Sequence, residues 1–121
     1  MLRLLMIVSG AFEALFGVTA ILATSAVTGA LGIGADASVI FFARVLGAAT
    51  LGLGIAALLA RDELGSHGGR AVAYGLALYN VLAACIILWT AAEIGGAPLW
   101  GAGIIHAVIG TLFVSAFVRR A

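Results

Sequence analysis

VIFFARVLGAATLGLGIAALLA, residues 39–60, is the stretch around which the chain is organised. It is 22 residues long, apolar or small throughout except for one charge, Arg44, set well inside the run. At ~1.5 Å per residue, a helix of this length crosses a ~30 Å hydrocarbon layer. An arginine within such a span costs roughly 2.5–3.5 kcal/mol on insertion scales. The remainder of the chain must therefore offer Arg44 a partner or a route to water.

Working outward, three more apolar runs appear. Residues 4–23, LLMIVSGAFEALFGVTAILA, contain Glu13; residues 71–92 contain Asn80; residues 98–118 contain His106. The first run is too long for the apolar core of a signal peptide and carries an acid at its centre, so it reads as a span. The Gly-rich connection at 24–38 is long for a tight turn and suits a short interfacial helix, with Asp36 or Ser38 capping the next span. The polar connection RDELGSHGGR, 61–70, contains Gly68-Gly69, a pair expected to break any helix, and a solvated His67. Pro98 fits the first turn of the last helix.

Composition agrees with lipid as the solvent. Of 121 residues, 64% are hydrophobic and only 9% charged, against about 25% charged in soluble domains. Mean hydropathy is +1.28. No basic cluster of the kind that nucleic acid requires is present. The lone Cys85 excludes an internal disulfide and reads as a small core hydrophobe. Arg3, Arg61, Arg70, Arg119 and Arg120 flank one side of the four spans, and the loops at 24–38 and 93–98 carry no arginine or lysine. This is a positive-inside pattern that puts both termini in the cytoplasm of a cell with the chain in its inner membrane. Trp89 and Trp100 fall near the opposite face, as an aromatic belt requires. The expected fold is all-α: one transmembrane domain of four helices in an up-down-up-down bundle.

Each span thus carries one conspicuous polar residue: Glu13, Arg44, Asn80 and His106. Counted from the outer helix ends, Glu13 lies ~16 Å deep and Arg44 ~9 Å deep, so the two are expected to form an ion pair if their helices are neighbours. Small residues accompany each one: Ser9 and Gly17 beside Glu13, Ala48 and Gly52 beside Arg44, Ala77 and Ala84 beside Asn80, Ala102 and Gly110 beside His106. Membrane helices place small residues where backbones approach, which puts all four polar groups on packing faces. Tyr79 can add a hydroxyl to the cluster. Such a constellation either fixes helix packing through hydrogen bonds or lines a site for a proton, an ion or a small molecule. His106 is the only histidine within a span, which excludes bis-histidine haem within one chain; haem or chlorophyll held through it is the weaker reading beside a hydrogen-bonded histidine. No phosphate loop, nucleophile elbow or zinc spacing occurs.

The segment FFARVLGAATLGLGIAALLARD, 41–62, resembles the second span of the DoxX-like group of small four-helix membrane proteins. Arg44, Gly47, Leu51-Gly52-Leu53-Gly54 and the charged turn carry the resemblance, and the acid within GAFEALFG, 10–17, is similar. The resemblance implies a four-span bundle linked either to quinone chemistry or to an accessory place in a larger membrane complex. It carries over no catalytic residue. A second resemblance is to small multidrug resistance transporters, which are similar in length and also embed a glutamate in the first helix. The chain departs from them where Arg44 would neutralise Glu13, and in lacking their aromatic and proline pattern. A second copy of this chain or a larger membrane complex is the expected protein partner.

Overall fold

A computed structural model describes residues 1–119. Arg120, part of the flanking charge pattern, lies outside the described residues. The chain is all-α, with five helices: α1 (Leu2–Leu22), α2 (Thr24–Ala30), α3 (Ala37–Ala60), α4 (His67–Ile94) and α5 (Ala97–Val118). All but α2 are long and apolar enough to cross a membrane. The chain is thus an integral membrane protein by length and composition, and α2 is the short helix expected in the first connection.

Local signals set the boundaries. The Asp36 carboxylate accepts the backbone N–H groups of Ser38 and Val39, which caps α3. Gly95 and Gly96 take positive φ between α4 and α5, and Pro98 sits in the first turn that follows. The Gly68-Gly69 pair does not break a helix, contrary to expectation. Both glycines lie in the first turn of α4, where the Ser66 hydroxyl accepts from the Gly69 N–H. Gly69 passes so close to the Glu63 carbonyl that a side chain would collide with it. Glycine here allows a close approach at a helix start, where its low propensity costs little.

The packing inverts that of a soluble bundle. Large side chains such as Leu15, Leu22, Phe42 and Leu59 face outward, and the interior is built largely from Gly, Ala, Ser and Thr. With lipid outside, burying leucine gains little, and close backbone approach decides which faces meet. The helices pair in two antiparallel hairpins, α1 with α3 and α4 with α5, and the hairpins meet less extensively. In the first hairpin, Gly17 lies against Gly47 and Gly10 against Gly54. In the second, Gly103 faces Leu88 and Gly110 faces Val81. Both glycine spacings are heptads, the repeat that keeps one stripe of a helix on its neighbour. Near the chain termini the hairpins join through Leu2, Met6, Ala57, Leu76, Phe113 and Ala116, the main apolar core. An exposed ion pair, Arg3 Nε to Asp62 Oδ1 at 2.5 Å, ties α1 to the turn after α3.

Candidate functional site

The site forms where α1, α4 and α5 converge. Ser9 and Glu13 come from α1, Tyr79 and Asn80 from α4, and His106 from α5. Ser9 and Glu13 are one turn apart and share the face that α1 turns inward. Asn80 is wholly buried among Ala73, Ala77 and Ala84, which leave room for its amide. His106 lies between Gly103 and Gly110 on α5.

Asn80 is the hub. Its Nδ2 donates to the carbonyl of Leu76 at 2.9 Å and to Ser9 Oγ at 3.3 Å, and its Oδ1 lies 2.9 Å from His106 Nδ1. Three helices are thus joined by one amide. The His106 ring stands edge-to-face with Tyr79 at 5.7 Å and with Phe12 at 6.1 Å. The Tyr79 hydroxyl is turned toward the Glu13 carboxyl. Even so, Glu13 is 0% exposed and neither of its carboxyl oxygens has a hydrogen-bond partner among the described residues. Leaving such a group buried and unpaired costs about 1–3 kcal/mol, more when it is charged.

Arg44 is not part of this site, and the expected ion pair with Glu13 does not form. Among the described residues, the ion pairs join only Arg3, Arg61 and Asp62. The glycine register explains the separation: it sets Arg44 level with Ala20 and Glu13 level with Leu51, ~10 Å apart along the axis. Side chains tilt toward the N-terminus of their own helix, and α1 and α3 run in opposite directions, so the two groups also lean apart. Arg44 instead donates from Nε to Thr24 Oγ1 at 3.3 Å, at the α2 end of the bundle. It does not lie on the packing face either: Arg44, Ala48 and Gly52 are exposed, and Gly47, Thr50, Gly54 and Ala57 make the buried stripe of α3. Cys85 is also exposed, where a core position was expected; it opens on a groove between the outer faces of α4 and α5. Tyr74 stacks on Phe117 at 4.4 Å, away from the cluster.

Ser9 is the member that sequence reasoning passed over. It was visible as a small residue one turn from Glu13, but a serine in a membrane helix usually bonds its own backbone, and only the fold shows it meeting Asn80. An apolar groove of about 660 Å³ lies between α1, α2 and α3, lined among others by Phe16 and Ala20 of α1, Val27 and Leu31 of α2, and Phe42 and Leu46 of α3, and by none of the cluster residues. Phe16 and Ala20 follow Glu13 by three and seven residues, on the same face of α1. Chemically, the cluster offers a carboxyl, a phenol, an imidazole and a fixed amide in a low-dielectric interior, where each hydrogen bond counts for more than in water. No group of three or more metal-ligating side chains occurs among the described residues.

No protein-family model matches the chain, no curated protein matches it, and no solved structure matches it.

Proposed function

We propose that this protein is a DoxX-like membrane protein that binds a small lipophilic ligand with a hydrogen-bonding head, such as a quinone. The head would sit at Glu13, Tyr79 and His106, and its apolar tail in the groove beneath α2. One observation carries the reading: Glu13 is fully buried, and neither carboxyl oxygen has a hydrogen-bond partner among the described residues. Folding alone gives no return on that arrangement, and ionisable groups kept inside membrane spans are functional by default. A ligand head that hydrogen-bonds Glu13 supplies what the bundle does not. Native mass spectrometry of the chain released from its membrane tests this. The expected result is a retained prenylated ligand that is lost in Glu13→Leu and His106→Phe; a ligand-free chain that also binds no added quinone overturns the reading.

The arginine pattern supports an inner-membrane setting with cytoplasmic termini. A second reading, a proton-coupled transporter similar to the small multidrug resistance proteins, gains from the finding that Arg44 does not neutralise Glu13. It requires that Glu13→Gln abolish proton-driven export of a cationic drug from vesicles; unchanged export excludes it. An accessory place in a larger complex would show as a partner that co-purifies in mild detergent.

A further inference from the structure

We infer that the cluster selects a ligand head that donates hydrogen bonds, so that it holds a quinol in preference to the oxidised quinone. The inference rests on the ligand reading above and deepens it. It starts at the Leu76 carbonyl, which can only accept. With Leu76 O at 2.9 Å, the near atom of the Asn80 amide must be its nitrogen. The second amide hydrogen goes to Ser9 Oγ. Both donors of Asn80 are then used, and the oxygen is the atom left to face His106 Nδ1 at 2.9 Å. An oxygen accepts, so Nδ1 carries the hydrogen. In the neutral imidazole that leaves Nε2 as a bare lone pair. Among the described residues, His106 makes its hydrogen bond through Nδ1. Tyr79 and Phe12 hold the ring edge-on from two sides, so the lone pair has a set direction.

A hydroxyl fits this atom. A quinone carbonyl would set lone pair against lone pair. The Glu13 oxygens, beside the same tyrosine, are fully buried without a hydrogen-bond partner among the described residues. Asn80 is accordingly a positioning residue: it touches no ligand and acts by fixing which nitrogen of His106 is free. The state of Nδ1 is tied to Ser9 on α1 through one amide, so the selectivity depends on both hairpins being docked.

The test uses the full chain in detergent micelles without oxygen, with a short-chain benzoquinol and its benzoquinone as probes. The quinol is expected to bind at least about tenfold tighter, the worth of one well-made hydrogen bond. Nitrogen-15 spectra, recorded with His67→Gln to leave one histidine, should show the Nδ1–H tautomer. Asn80→Leu should bring the two affinities together while Nδ1 loses its fixed hydrogen. Equal or tighter binding of the quinone, or an Nε2–H tautomer in the otherwise unaltered chain, overturns the inference and leaves the ligand reading standing. Failure of both probes to bind overturns both.

Discussion

The two hairpins are built on the same glycine spacing but with opposite tolerance. In α1–α3, glycine meets backbone. A Cβ on Gly17 would come 2.5 Å from Leu51 N, and one on Gly54 would come 2.5 Å from Ala14 N. In α4–α5, glycine meets side chains first, with backbone at 3.3 Å behind them. A Cβ on Gly103 would come 2.6 Å from Leu88 Cδ2, and one on Gly110 would come 3.0 Å from Val81 Cγ2. A leucine end can swing aside, whereas a helix backbone moves only if the whole helix moves. The first hairpin therefore has the tighter seam, and the second, which carries Asn80 and His106, the looser one.

The largest expected effect breaks this contrast directly. Gly54→Ala should destabilise the bundle by about 3 kcal/mol, the upper end for forced overpacking, and Gly103→Ala by about 1 kcal/mol, its lower end. Reversible unfolding in mixed micelles measures both; similar losses would show that the seams do not differ. Next in size, Glu13→Leu should stabilise the ligand-free protein by about 2 kcal/mol, because it removes an unpaired buried polar group. A loss of stability would mean that Glu13 has a partner within the fold. The smallest effect lies outside the membrane. The hydrogen bond from Arg3, helped by its charge and that of Arg61, holds Asp62 below its ordinary value of 3.8. A carboxylate depressed by folding stabilises at neutral pH and stops doing so as pH falls through its folded-state value. Because Asp62 is solvent-exposed, the effect should be a slight drop in melting temperature on acidification below about pH 4, absent in Asp62→Asn.

The hydrophobic runs made the four spans legible, and Asp36 and Pro98 marked helix starts by local chemistry that needs no tertiary context. The inward faces of Glu13, Asn80 and His106 were also legible, because each lies among small residues on its own helix. Arg44 was misplaced because depth along a helix says nothing about rotation around it. Two small stripes compete on α3, Ala48 with Gly52 and Gly47 with Gly54. Only the second matches a heptad on the partner helix, Gly10 with Gly17, and that match was present in the sequence. Side-chain tilt completes the explanation: on antiparallel helices it draws Arg44 toward Thr24 and away from Glu13. Cys85 shows the converse error. Small and apolar implies burial in water, but in lipid such a residue sits equally well outside.

The backbone contact between Gly10, Gly17, Gly47 and Gly54 also bears on how the protein is made. Synthesis delivers α1 and α3 before α4, and the glycine seam needs nothing that comes later. The first hairpin can close while the ribosome is still producing the second. Through that interval Tyr79, whose hydroxyl is later turned toward Glu13, has not yet been translated. The nascent half-bundle therefore carries an exposed acid toward lipid, and arrival of the second hairpin is the event that shelters it. A chain stalled before α4 should for that reason be a substrate for membrane quality control, whereas the finished bundle hides the same glutamate completely.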